Sequence, residues 1–504
     1  MPTRPPKASP QGRTPTRGLS PRAVSDLLFH ARASNAGLRP EAVPFDVPLP
    51  RVIREPAARD EEGLSARLLS AWSDTVRAHV EAGTHEVSLS GGVDSAAMCA
   101  MAARHAPGRV RAWTMDVHFA DAVERSNARR MAKVTGAELV DVLIPDAVLP
   151  DLFERAVLAN QTVILNARAV ASYAFYLEAR RQGAGPVLLS GAGADEVLQG
   201  TPGAIASAKA RVDEDRTLAM RALGFEGMRL VDNLRAPFPA GSRDHETPPG
   251  VARGAVDNSG RPLHGAPRGD QEPKPSTGHF PSGDGGRDQA VGRREDSTPV
   301  DNLRTVSGGL NSDHASRAPP VDNLGTVLAS LPAPWDLPSE EALPSEELRY
   351  AKWVLTELIL PPELRGARAH GLTVRTPYLD EGFARVALAL PESVLMREGF
   401  GKWLFRHAVR SLVPDEVRLA RKTPRYGHTA LSSPVRERWL ELYRAWLSPA
   451  RLDSLQVIDT QAMLGLLTRY FRLSPDDEQA GPMDRLLMRL MSLAMLQAHS
   501  KAPP

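Results

Sequence analysis

The apolar positions of residues 64–80 recur at near-helical spacing, as Leu64, Leu68, Leu69, Trp72, Val76 and Val80. That period predicts an amphipathic helix. Beyond it the pattern shortens. Apolar, β-prone runs at 86–89, 110–116, 137–144 and 186–189 are closed by glycine or polar residues and read as strands. Helical stretches separate them, at 96–103 (rich in alanine), 122–135, 152–158 and 163–180. Strands alternating with helices predict an α/β fold built on a doubly wound, mostly parallel sheet. After residue 345 the strand pattern gives way. Helices are expected at 346–359, 382–390, 401–412, 435–447, 462–471 and 482–498, the first stopped by Pro361-Pro362. This helical C-terminal half is expected to pack against the sheet unit.

Two predicted strands end in similar polar turns. The first runs into Ser90-Gly91-Gly92-Val93-Asp94-Ser95. Two glycines let a bound group come close to the backbone, and the free amides at a helix start point at an anion. Ser90 and Ser95 can add hydroxyl donors. Asp94 opposes a bare phosphate, but suits a divalent cation that bridges to one. The pattern is neither the glycine fingerprint of dinucleotide binders nor a loop ending Gly-Lys-Ser/Thr. The second turn is Ser190-Gly191-Ala192-Gly193-Ala194-Asp195-Glu196. Taken alone, Asp195-Glu196 is helix N-terminal charge worth about 0.3–1 kcal/mol. At the same sheet edge as the first turn, Asp94 and Asp195 are expected to face each other across a cleft, where they can clamp a divalent cation against a bound phosphate group.

Composition narrows the classes. A chain of 504 residues holds two or three domain-sized units, and its net charge of +2 gives no electrostatic case for nucleic acid. No apolar run is long enough to cross a bilayer and no secretory h-region follows the basic start, so a cytoplasmic location is expected. The sole cysteine, Cys99, excludes an internal disulfide and reads as a core residue. His105, His118, His370, His407 and His428 show no zinc-ligand spacing. Four segments result: a variable, partly disordered stretch 1–60; the α/β unit 61–237; a low-complexity, disordered insertion 238–344; and the helical completion 345–504. Val-Asp-Asn recurs at 231, 256, 300 and 321 without a solenoid period, as local duplication leaves it.

The first hexad resembles the pyrophosphate loop of the ATP-pyrophosphatase families. With it come Val374-Arg375-Thr376-Pro377-Tyr378-Leu379-Asp380, Gly401-Lys402-Trp403-Leu404-Phe405-Arg406 and Leu419-Ala420-Arg421-Lys422. In that order they resemble the synthetase domain of the asparagine synthetase family, whose members include β-lactam synthetase, carbapenam synthetase and lasso-peptide cyclases. The likeness covers about residues 60–230 and 345–440. It implies a ligase that adenylates a carboxylate with ATP and Mg²⁺, then forms an amide and releases AMP and pyrophosphate. By residue, it implies Ser90, Gly91, Gly92, Asp94 and Ser95 as the pyrophosphate loop, and Asp94 and Asp195 as magnesium ligands. Lys402 matches the lysine that stabilises the transition state, and Lys422 the second basic motif near the phosphates. Arg375 is expected to brace the site wall through a salt bridge.

Two departures qualify the likeness. No cysteine lies near the start, and the leading segment is too short for a glutaminase domain. Nitrogen is therefore expected from an amine on the substrate, from free ammonia or from a separate amidotransferase. The carboxylate belongs to a small molecule or a peptide; no membrane or nucleic-acid partner is expected, and homo-oligomerisation is left open. Second, Ala192 stands where asparagine-forming members carry Glu and lactam-forming members Tyr, and alanine can neither accept nor donate a proton. Glu357 and Glu196 are the alternative bases. The competing reading is a catalytically impaired ATP-binding partner protein.

Overall fold

The structure, a computed structural model, describes residues 19–30, 49–56, 60–199, 203–223, 331–337, 343, 345–421 and 428–500. The expected disorder of the first residues and of the insertion, with its Val-Asp-Asn repeats, concerns segments outside these except at the insertion's end. There residues 331–337 are placed and correct the 238–344 bounds: Pro334–Asp336 forms a 3-10 turn, and Leu331 and Trp335 are buried. The described residues belong to one compact unit, in which the sheet and the C-terminal helices share cores.

Five strands form the sheet: β1 (Glu86–Ser88), β2 (Arg111–Asp116), β3 (Glu138–Leu143), β4 (Val187–Leu189) and β5 (Thr373–Arg375). Their order is β3-β2-β1-β4-β5, and every pairing is parallel. Successive side chains enter different cores, as a period of two requires. Ala112 and Leu189 join one with Trp72, Val76 and Leu89; Trp113 and Leu188 join the other with Phe153, Tyr176 and Leu490. The sheet is doubly wound, as the alternation predicted. The chain leaves β1 toward β2 and β3, then returns to β4 on the other side of β1. That reversal is the switch point beside which such sheets bind ligands.

Helices α1 (Pro21–His30), α2 (Glu61–Glu81), α3 (Val93–His105), α4 (Ala122–Thr135), α5 (Val148–Asn160), α6 (Ala167–Arg181), α7 (Ala194–Val197) and α8 (Ala204–Arg221) accompany the strands. Asp60 starts α2 by accepting from the Gly63 amide, a side-chain N-cap. The periodic positions of α2 are its buried face. Alanines on α3 bury most of that helix, and Cys99 among them has its thiol pushed up to about 11 by burial. It is a core residue, as read.

Three expectations change. Residues 19–30 form α1 and its adjoining turn, whose Val24, Leu27 and Leu28 are fully buried, although the composition of this stretch gave no helix. The helix at Glu346–Trp353 is not stopped by Pro361-Pro362. It widens into π-helical turns at Val354–Ile359 and Pro361–Arg365, where Leu360 donates to the Leu355 carbonyl and Gly366 to the Pro361 carbonyl. A five-residue register moves each ring off the carbonyl four residues back, the clash by which proline ends an α-helix. The stretch expected as one helix over 401–412 opens instead with a hairpin of Met396–Arg397 and Phe400–Gly401, and its helix is Trp403–Ala408. Farther on, helices stand at Glu381–Ala389, Arg436–Trp446, Thr460–Arg472 and Ala480–Ser500, close to expectation. Among the described residues no helix is long and apolar enough to cross a membrane.

Candidate active site

The turn after β1 is shaped by glycine and held by Ser95. Gly91 has φ +87°, and a Cβ there would stand 1.8 Å from the Glu124 carbonyl oxygen on α4. No other residue fits. Ser95 Oγ accepts from the amides of Ser90 (3.1 Å) and Gly91 (3.2 Å) and donates to the Gly92 carbonyl (3.1 Å). Gly92 is the N-cap of α3 and supplies no side-chain cap, so the first-turn amides face the cleft without one.

The turn after β4 lies against the first. A Cβ on Gly191 would be 3.5 Å from Asp94 Cβ and 3.4 Å from the Ser95 amide nitrogen. Gly193, at φ +90°, admits Leu379 where a side chain would collide with it at 2.5 Å. Asp94 and Asp195 are thereby brought to the same point, and Lys402 stands between them. Its Nζ lies 2.5 Å from Asp94 Oδ2 and 2.7 Å from Asp195 Oδ1. The lysine side chain is 3% exposed. Burial alone would lower its pKa; Asp195 and Asp94 outweigh that and hold it above the usual lysine value.

Lys402 reaches this position from a backbone the sequence did not predict. Its φ is +60°, left-handed, at the N-cap of Trp403–Ala408. A non-glycine residue there costs about 1–3 kcal/mol, which the surroundings must hold in place. Trp403 donates its amide to the Leu395 carbonyl (2.9 Å), and the buried Arg406 donates Nε to the Gly401 carbonyl (3.0 Å). Arg406 also donates to the carbonyls of Arg418 and Ala420, tying down the approach to the second basic motif. Lys422 itself lies outside the described residues.

Below the acids, Tyr378 is fully buried, stacks on Trp72 (4.1 Å between centroids, 21° between planes) and donates to the Asp94 carbonyl (2.9 Å). Phe383 and Phe405 meet the same indole edge-on. The Pro-Tyr-Leu-Asp motif is thus a floor for the site: Tyr378 supports the first turn and Leu379 the second. Arg375, expected in a salt bridge, forms none among the described residues; its carbonyl accepts from the Ser190 amide (2.8 Å) instead. The strand geometry of β5 directs this side chain outward, where it is exposed.

A cleft of about 1590 Å³ opens over these groups and is lined by both turns, Lys402 and Arg406. Ala192 lines it, as do Glu196 and the 6%-exposed Glu357 on the π-helical turn. A smaller cavity of about 110 Å³ adjoins it at Ser90, walled by Trp113, Met115, Phe119, Phe175 and Tyr176. Sequence reasoning missed four groups here. Tyr378 lay in a quoted motif, but nothing local showed its hydroxyl under Asp94. Asn127 on α4, Asn160 ending α5 and Thr162 gave no signal; all line the cleft, buried, with Asn127 Nδ2, both side-chain atoms of Asn160 and Thr162 Oγ1 lacking hydrogen-bond partners among the described residues. No cluster of three or more metal-ligating side chains occurs among the described residues.

Fold and site together define a doubly wound α/β protein with a glycine-rich turn at the switch point of a parallel sheet and a lysine set across it. A family model, described as asparagine synthase, matches residues 64–498. The chain belongs to the asparagine synthase family, as the motif series implied; the family uses ATP as a substrate and is broadly one of ATP-dependent amide-forming ligases. No curated protein matches the chain.

Proposed function

We propose that the chain joins a carboxylate to an amine or ammonia through an acyl-adenylate, releasing AMP and pyrophosphate. The observation that carries this is the ion cluster of Lys402 with Asp94 and Asp195 at the ends of β1 and β4. The apolar slot beside Ser90 suits an adenine ring, with Asn166 and Arg168 at its mouth. The polyphosphate would then lie on the Ser90–Ser95 turn and the first-turn amides of α3, with Ser90, Gly91, Gly92, Asp94 and Ser95 as its cradle. Asp94 Oδ1 is buried without a hydrogen-bond partner among the described residues, and Asp195 stands beside it. Such a pair fits a divalent cation that takes its other ligands from phosphate and water. Asp94 and Asp195 would hold Mg²⁺, whose chemistry there is to neutralise the leaving pyrophosphate.

In the first step a carboxylate oxygen attacks Pα, and the bond from Pα to the bridging oxygen breaks with its electron pair leaving on pyrophosphate. Lys402 faces that growing charge as a fixed, dry ammonium, and Lys422 is proposed as a second. In the second step the nitrogen attacks the acyl carbon, AMP leaves and one proton must be taken up. Ala192 cannot take it. Glu357, a buried carboxylate on the same cleft, is the acceptor we favour over the more open Glu196.

Ala192 also favours a second reading, a catalytically impaired ATP-binding partner protein. Exchange of labelled pyrophosphate into ATP separates the two, because it needs adenylation and no nitrogen donor. Carboxylate-dependent exchange is expected. Binding of ATP–Mg²⁺ with no exchange for any carboxylate would leave only the second reading.

A further inference from the structure

We infer that His118 and His428 bind a divalent transition-metal ion through their Nε2 atoms. His118 stands in the turn after β2 and His428 starts the segment leading to Arg436–Trp446, and neither is sealed from solvent. They are 310 residues apart in sequence, so no spacing announces the pair, yet their Nε2 atoms are 2.8 Å apart. Each Nδ1 is already engaged. His118 Nδ1 stands against Asp146 Oδ1, so it carries a proton. His428 Nδ1 is 3.3 Å from Ser432 Oγ, whose single proton goes to the Thr429 carbonyl at 3.0 Å, so this Nδ1 donates as well. A neutral imidazole protonated at Nδ1 keeps a bare lone pair on Nε2. Two such lone pairs in contact need a cation between them.

Ring geometry favours a metal over a shared proton. Two imidazoles joined by a straight N–H···N bond of this length would have their centres about 5 Å apart. These centres are 4.3 Å apart, with the planes at 66°. An ion about 2.0–2.1 Å from each nitrogen, the usual imidazole distance, spans the 2.8 Å separation at an angle of about 86° and sets the ring centres about 4.4 Å apart. That angle suits the tetragonal or octahedral preference of Cu²⁺ and Ni²⁺ better than the tetrahedral one of Zn²⁺. Asp146 on the His118 Nδ1 is the carboxylate that orients a ligating histidine and raises its basicity. Phe119 packs on both rings, at 5.0 and 4.7 Å between centres, and steadies them. The small cavity beside Ser90 reaches His428, which gives water room to fill the remaining positions. The ion would bolt His428 to the turn after β2, on the wall of the slot assigned to adenine.

The test uses the full, untagged chain, stripped with chelator and titrated with Cu²⁺ alone. One equivalent is expected to bind, with two imidazole nitrogens in its electron paramagnetic resonance spectrum. His118→Gln and His428→Gln should each leave one imidazole nitrogen and weaken binding. Asp146→Asn keeps both ligands and their two-nitrogen spectrum, and should weaken binding about 10–100-fold, a loss that a histidine pair without a metal would not show. Excess Mg²⁺ should not displace the copper, since a hard cation prefers oxygen ligands. Three results would overturn the site: no stoichiometric binding to the native chain, a nitrogen count unchanged in both histidine variants, or displacement by Mg²⁺, which would put the ion on Asp94 and Asp195 instead. Should a histidine variant fail to fold, the native spectrum and Asp146→Asn decide alone. No ATP enters the measurement, so its failure leaves the ligase reading intact.

Discussion

Replacing Lys402 by Met removes the one ammonium between two acids and keeps the stem. Its nitrogen stands 2.5 Å from Asp94 and 2.7 Å from Asp195, and the side chain is 3% exposed against 22% and 30% for the acids. Breaking a buried pair by deleting one partner costs about 3–5 kcal/mol, because the remaining charge is left uncompensated. Here two like charges remain, but water reaches both, so the low end, about 3 kcal/mol, is expected without added metal. Mg²⁺ should restore more stability to the variant than to the native chain, since the bare acids then attract the cation unopposed. The rate of pyrophosphate exchange should fall about 10²–10³-fold, the usual loss when a fixed charge stabiliser is removed. Lys402 titrates above its ordinary value, so its stabilisation is complete below pH about 10.5 and lost only as pH rises through the higher folded value. The stability gap between native chain and variant should therefore be flat across neutral pH. Urea unfolding with and without Mg²⁺, alongside exchange, measures all of this. A variant within fivefold of native exchange, or equally stable in metal-free buffer, would refute the assigned role.

Other perturbations test the scaffold. Gly91→Ala should abolish ATP binding and destabilise the fold by more than about 1 kcal/mol, by equilibrium dialysis and urea melts, since φ +87° and a 1.8 Å contact with Glu124 both exclude a side chain. Burial pushes Asp484 up to about 6, against the opposing donors Tyr470, Tyr443 and Ala430. The fold therefore holds this proton more tightly than the unfolded chain does, and the site's contribution to stability falls as pH rises from about 4 to about 6. Asp484→Asn should remove that slope in thermal melts, and an unchanged slope counts against it. His428 is held down to about 4 by burial and by His118, whose Nε2 is 2.8 Å away. Here the unfolded chain takes the proton first, so stability is lost as pH falls from about 6.5 toward 4. His428→Gln should narrow the gap between melting temperatures at pH 7.5 and 5.

What was legible in the sequence is what local pattern determines. The Ser90–Ser95 turn could be read because glycine, helix start and strand end are all written within ten residues, and the Asp195 turn repeats the arrangement. Their meeting followed from one topological rule, that ligands gather where a parallel sheet reverses direction. The Lys402 backbone was hidden, because a left-handed lysine is a cost that local preference argues against. Arg406 on the Gly401 carbonyl and Trp403 on the Leu395 carbonyl hold that backbone locally, and the ion pairs with the distant Asp94 and Asp195, of tertiary origin, hold its side chain. Pro361-Pro362 misled for the same reason. The rule that proline stops a helix assumes the α register, and the packing of Leu355 and Leu360 into one core carries the chain through in a wider one. Asn160 and Thr162 were invisible in principle. A buried atom without a partner is defined by what surrounds it, and no spacing along the chain records that. The pattern has a mechanistic consequence. The proposed nucleotide cradle rests on local rules, while the lysine set across it rests on contacts with distant parts of the chain. Substitutions in the C-terminal helices that leave the turns untouched should therefore alter turnover before they alter ATP binding.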